Sequence, residues 1–240
     1  MKSIKGLLPL LLICLFAGSC QEDFLDLAPQ DELSVSSTFS SYNNVKIYSW
    51  SFYEFFETYA GNNIHNTEID GDLIHNSNNT GSAYIWGRVL VPTNDGNWTD
   101  TYANIRKVNL LLDNIPNSEM AEADIAHWRA VGLFFRAHEY FRLLKRFGGV
   151  PWLENTVLDT DTDILYGPRD SRDVVASNML RDLLEAEANI KVNGDGPNTL
   201  NKSAVKALIS RFGLFEGTWR KYHGLSNHEQ YLEASISASA

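Results

Sequence analysis

The sequence predicts an all-α fold of antiparallel helix pairs joined by long irregular loops. Two observations carry this. Apolar residues recur at three- and four-residue spacing in several separate stretches, the signature of helices with one buried face. Clusters of Gly, Pro, Asn and Asp separate those stretches, and such residues belong to turns and loops.

Taken in order, Val45, Tyr48, Phe52, Phe55, Phe56 and Tyr59 mark the first amphipathic helix. Residues 61–97 break the pattern with eight Asn and several Gly, so loops or short strands are expected there. Trp98, Tyr102, Ile105 and Leu112 share one face of the next helix, which Asn114-Ile115-Pro116 closes. Ala130, Phe134, Ala137, Phe141 and Leu144 then alternate small with large, a stripe suited to close helix packing. Gly148-Gly149 stops that helix, and Pro151 holds the following chain extended. A long loop carrying Asp159, Asp161 and Asp163 leads to a helix with Val175, Met179, Leu183, Ala186 and Ile190. After the turn cluster Asn193 to Pro197, Asn201 caps a helix whose expected stripe is Ala204, Leu208, Phe212, Phe215, Trp219 and Tyr222. A last apolar pattern is Tyr231, Leu232 and Ile236. Such pairs are like tetratricopeptide units, but the long loops leave no strict 34-residue period.

The first residues read as an export signal. Lys2 and Lys5 precede the apolar run Leu7 to Phe16, which is far shorter than the roughly 20 residues a spanning helix needs. Ala17-Gly18-Ser19-Cys20 follows, small residues directly before a cysteine. It resembles a lipobox, with cleavage before Cys20 and acylation of that residue, so the chain would be held to a membrane by lipid alone. The expected organisation is 1–19 signal peptide, 20–40 lipidated tether, and 41–240 a helical domain cut short at its C-terminus. Cys14 lies in the removed segment, which leaves the mature chain no cysteine for a disulfide or thiol nucleophile.

Charge excludes one class of partner. Lys and Arg number 20 against 30 Asp and Glu, a net −10 that becomes −12 once Lys2 and Lys5 are removed. Nucleic-acid binding needs concentrated basic charge, so no nucleic acid is expected. Motif chemistry is equally sparse. His138-Glu139 has no second His four residues on, and neither a G-x-S-x-G elbow nor a phosphate-cradling glycine loop occurs. Asp159, Asp161 and Asp163 have the opening spacing of a calcium loop, but Ile164 stands where that loop needs Gly. Glu68, Asp70 and Asp72 are the carboxylates that glycoside hydrolysis would require. Acidic loop residues are more often solvated, so no enzyme, metal or cofactor is expected. Arg136 and Arg142 sit among aromatics, where pairing with acids or covering apolar surface is the expected role.

Several pieces in order resemble one family. Phe24-Leu25-Asp26-Leu27-Ala28-Pro29 follows Cys20, and Trp98 to Ile105 with Asn109 gives a "W…Y..I..aN" helix. Arg136 to Leu143 followed by Phe147-Gly148-Gly149-Val150-Pro151 gives "RA..yf.L…fG.vP", then come Asp182 to Ala186 and Lys206 to Trp219. Together these resemble the SusD/RagB outer-membrane nutrient-binding lipoproteins of Bacteroidetes. Gln21-Glu22-Asp23 after the cysteine is similar to their signal for surface export.

The resemblance implies a cell-surface glycan-binding lipoprotein that captures oligosaccharides and passes them to a SusC-like TonB-dependent transporter. The alternative it leaves open is a helix-repeat scaffold docking on that transporter with peptide or other cargo. Sugar rings bind against flat aromatic faces while polar side chains take their hydroxyls. The candidates on those grounds are Trp86, Tyr84, Asp72 and Arg88, all in the Asn-rich segment. Packing of Trp86 and Tyr84 beneath a surface loop is the other role open to them. Trp98, on its helix's apolar stripe, is expected to pack in the core.

Overall fold

The computed structural model describes residues 38–56 and 91–240. Among them every regular element is helical. Helix α1 (Tyr42–Trp50) starts at Ser41, whose side chain accepts from the Asn44 amide. The expected continuous helix stops there. Ser51–Phe55 is a 3-10 turn and Phe56 is already extended, while Tyr59 lies outside the described residues. The tighter turn eclipses side chains three apart, and it sets Phe52 and Phe55 together against Phe135, with ring centroids 5.5 and 5.8 Å away.

Helix α2 (Gly96–Asn114), capped by Asp95, runs into a 3-10 turn at Ile115–Asn117 containing Pro116. Helix α3 (Glu122–Phe147) is the axis of the molecule. Trp128, Leu133, Phe135, Tyr140 and Leu144 are buried on different sides of it, as befits a helix covered all round. Gly148 ends it with φ 70°, a conformation open to residues lacking Cβ. A short helix α4 (Thr162–Leu165) interrupts what the sequence presents as a plain loop. Helices α5 (Arg172–Asn189), α6 (Lys202–Tyr222) and α7 (His228–Ser239) complete the order.

Side-chain contacts fix the directions. Asn104 meets Glu139 and Asn109 meets Arg136, so contacts that climb α2 descend α3 and the two are antiparallel. Arg129–Glu185 and Arg136–Asp182 pair α3 with α5 in the same sense. Phe212 against Tyr231 and Ser235 bonded to the Ser210 carbonyl do so for α6 and α7. Helices α2, α3, α5, α6 and α7 thus each pack antiparallel on a neighbour, the arrangement of tetratricopeptide-like pairs.

Two expected faces are rotated. On α6 the buried residues are Val205, Ile209, Phe212, Gly213, Glu216, Gly217 and Arg220, whereas Trp219 is 39% and Tyr222 81% exposed. Glu216 can be buried because Arg172 reaches it from α5 at 2.6 Å and Arg220 from α6 itself at 2.8 Å. Gly213 faces α7 so closely that a Cβ there would run into the Tyr231 carbonyl. On α7, Ser235 is buried and Ile236 is 71% exposed. The small serine lets α6 approach, which a large apolar residue would prevent.

Candidate functional site

The loop after α3 builds a cleft with the materials for holding a polar, ring-shaped ligand. Its floor is the loop 151–157, which leaves α3 after Gly148-Gly149. Gly149 passes so near the backbone of Asp170 that a Cβ would collide with the Asp170 carbonyl.

Side chains of α2 and α3 then tie the loop down by its backbone. Tyr102 Oη donates to the Pro151 carbonyl at 2.7 Å, and the Leu153 amide donates to Tyr140 Oη at 2.6 Å. Asn109 Nδ2 donates to the carbonyls of Leu153 at 2.9 Å and Asn155 at 3.0 Å. Arg136 Nη1 donates to the Glu154 carbonyl at 2.8 Å, and Asp113 accepts from the Thr156 amide at 2.8 Å. Arg106 reaches the Val157 carbonyl. Buried polar groups cost free energy unless paired, so each of these side chains serves the loop and is satisfied by it. Burial pushes the Tyr102 and Tyr140 phenols well above their ordinary range, and both therefore stay neutral donors.

The tied loop presents Trp152. Its indole stacks on Tyr140 with centroids 4.0 Å apart and lies 5.5 Å from the Arg136 guanidinium. Its amide donates to Asp170 at 2.8 Å. The remaining surface of the indole lines a cleft of about 460 Å³, closed on its far side by Asp161, Asp163, Ile164, Gly167 and Asp170. That volume lies within the roughly 300–1,000 Å³ of small-molecule sites. Glu154 lines it too, its carboxyl held below the usual carboxylate range by the bond from Arg181. Carboxylates accept hydrogen bonds and sugar hydroxyls donate them. An aromatic surface beside carboxylates suits a hydroxylated ring, while Arg136 and Asp182 behind the loop are already paired with each other.

The sequence-expected candidates do not test against this geometry. Trp86, Tyr84, Asp72 and Arg88 lie outside the described residues, as do Cys20, Glu68 and Asp70. Trp98 is half-buried, packed on Tyr102 and Phe147 with Arg169 4.8 Å over its ring. Asp161 accepts from the Leu158 amide at 2.8 Å just before α4, which is turn chemistry. Among the described residues no group of three or more His, Cys, Asp or Glu is placed to hold a metal ion. Arg136 pairs with Asp182 at 2.7 Å and Arg142 with Glu139 at 3.2 Å, as their setting among aromatics implied.

Trp152 escaped the sequence reading because it belongs to no periodic stripe. Its signal was weaker: a tryptophan immediately after a Gly-Gly helix stop and an X-Pro step.

A family model for SusD-like proteins, described as starch-binding and associating with the outer membrane, matches residues 23–214. The chain belongs to that family. Among solved structures, a SusD-like protein from Bacteroides fragilis is 23% identical with a TM-score of 0.68, covering 88% of this chain and 39% of its own. A laminarin binding SusD-like protein is 18% identical with a TM-score of 0.62, covering 81% and 42%. A SusD-like carbohydrate binding protein from Bacteroides vulgatus is 19% identical with a TM-score of 0.59, covering 83% and 45%. These likenesses show the fold. This chain spans less than half the length of each of those structures. No curated protein matches it.

Proposed function

We propose that this chain is part of a non-catalytic, glycan-binding lipoprotein of the cell surface. It captures oligosaccharides and delivers them to a SusC-like TonB-dependent transporter. The observation that carries the glycan half is the Trp152 cleft, a partly buried aromatic beside carboxylates on a loop pinned from two helices, in a chain of this family. A pinned loop keeps its binding geometry without a ligand, so less ordering entropy is lost on binding. Trp86, Tyr84, Asp72 and Arg88 remain candidates for further sugar contacts. Acylated Cys20 would hold the protein in the outer membrane, facing the exterior. No helix among the described residues is long and apolar enough to cross a membrane.

One observation favours the scaffold reading beside it. Ile164, which lines the cleft, and nearby Leu158, Leu165 and Tyr166 stand 49–86% exposed, apolar surface suited to a protein or an apolar peptide.

Affinity electrophoresis of the protein through a panel of polysaccharides, with Trp152→Ala and Trp86→Ala alongside, tests the glycan reading. Retardation by at least one glycan, reduced by Trp152→Ala, is expected. Free migration through every glycan would overturn it.

A further inference from the structure

A second hollow lies on the opposite side of α3. Arg136 and Tyr140 face the Trp152 loop, whereas His138, Phe141, Arg142 and Lys145 line a hollow of about 260 Å³ shared with Leu208 and Arg211 of α6. At about 100° per residue, positions 138 and 142 sit roughly 200° round the helix from 136 and 140.

Its charge is contrary to that of the chain. The sequence carries ten more acidic than basic side chains, yet Arg142, Lys145 and Arg211 converge here. Among the described residues the acid beside them is Glu139, which is fully buried. Its oxygens are already engaged by Asn104 at 2.9 Å, His138 at 3.0 Å and Arg142 at 3.2 Å. Arg142 spends only Nη1 on that contact. Arg211 makes no ion pair among the described residues. Lys145 Nζ stands 4.8 Å over the Phe141 ring. A concave wall with net positive charge raises the local concentration of anions, and guanidinium groups bind oxyanions through paired N–H donors.

The rest of the wall is apolar. Phe56, Phe141 and Leu208 complete the lining, which suits the C–H face of a sugar ring better than a bare hydrated ion.

We infer that this hollow binds an acidic sugar unit, a pyranose bearing a carboxylate or sulfate, with Arg142 and Arg211 on the oxyanion and the apolar wall against the ring. The inference rests on the glycan reading above and narrows its cargo to anionic polysaccharide.

Binding of the protein to polygalacturonate, to a sulfated galactan and to neutral dextran, measured by isothermal titration, tests it. Arg211 is exposed, so Arg211→Glu and Arg211→Gln are expected to keep the wild-type thermal midpoint. An acidic polymer is expected to bind, with affinity falling as salt rises and about tenfold weaker in either variant, the worth of one charge-assisted hydrogen bond. Binding to both acidic polymers points to the shared charge, and binding to one names its source. Unchanged affinity in both variants would overturn the inference. So would binding to dextran alone, which leaves the glycan reading standing. Binding to none of the three would overturn the inference, and the polysaccharide panel above then decides the glycan reading separately. Inorganic sulfate that competes as well as the sugar, mole for mole, would refute the sugar specificity.

Discussion

Arg136→Met removes a guanidinium that donates to Asp182 at 2.7 Å, to the Glu154 carbonyl at 2.8 Å and to Asn109 at 3.3 Å. The arginine and aspartate side chains are 5% and 1% exposed. Methionine keeps most of the stem's packing, so the loss is electrostatic. Breaking a buried pair from one side costs about 3–5 kcal/mol because the other charge stays behind unpaired. Here Arg181 still reaches Asp182 at 3.2 Å, but its side chain is 49% exposed, so it screens without fully replacing Arg136. The expected cost is therefore about 3 kcal/mol, the low end of that range. Urea unfolding of Arg136→Met, Asp182→Leu and the double variant forms a cycle. The double variant should recover roughly 2 kcal/mol relative to the sum of the singles, since neither charge is then stranded. Amide exchange in residues 151–157 should quicken in Arg136→Met, because the Glu154 carbonyl loses its donor. A cost under about 1 kcal/mol, or strictly additive singles, would refute the claim that this pair holds α3, α5 and the Trp152 loop together.

Two further outcomes follow from buried groups. His127 is 1% exposed and accepts the Lys191 amide on Nδ1 at 3.2 Å. Burial first, then Lys191, lowers its pKa to about 4. The unfolded chain binds the extra proton near pH 6.5, so this contribution is complete above that pH and fades as pH falls toward 4. Between pH 7 and 5 wild type should lose about 1–2 kcal/mol that His127→Leu does not; equal losses in urea titrations would contradict this. Gly213→Ala places a methyl against the Tyr231 carbonyl. It should cost at least about 2 kcal/mol through overpacking and expose Tyr231. A wild-type thermal midpoint with unchanged tyrosine fluorescence would show that α7 has room to shift.

Much of the fold was legible because helix formation is local. The face carrying Val175, Met179, Leu183 and Ala186 is buried as its spacing implied, and Asn201 caps α6 by accepting the Ala204 amide at 3.0 Å. Gly148 ends α3 where the Gly-Gly pair stood. The candidate site was less legible. Sugar-binding residues were sought in the Asn-rich segment by composition, whereas the Trp152 cleft depends on where Tyr102, Asn109 and Arg136 aim their hydrogen bonds. Those side chains lie some 15–50 residues from the loop carbonyls they hold, and no local pattern encodes that convergence.

By itself the sequence determined the long helices, their order and most of their ends, since caps, breakers and periodicity act within a few residues. The tertiary structure decided which face of α6 is buried. Counting apolar residues placed Trp219 and Tyr222 inside, but Glu216 and Arg220 are buried instead because Arg172 arrives from another helix to neutralise the glutamate. It also decided that Ser235 is inside and Ile236 outside, because α6 and α7 approach at Gly213 too closely for a branched side chain. Burial of a charge, and close approach at a glycine, depend on a partner distant in the chain, and only the folded molecule brings that partner into contact.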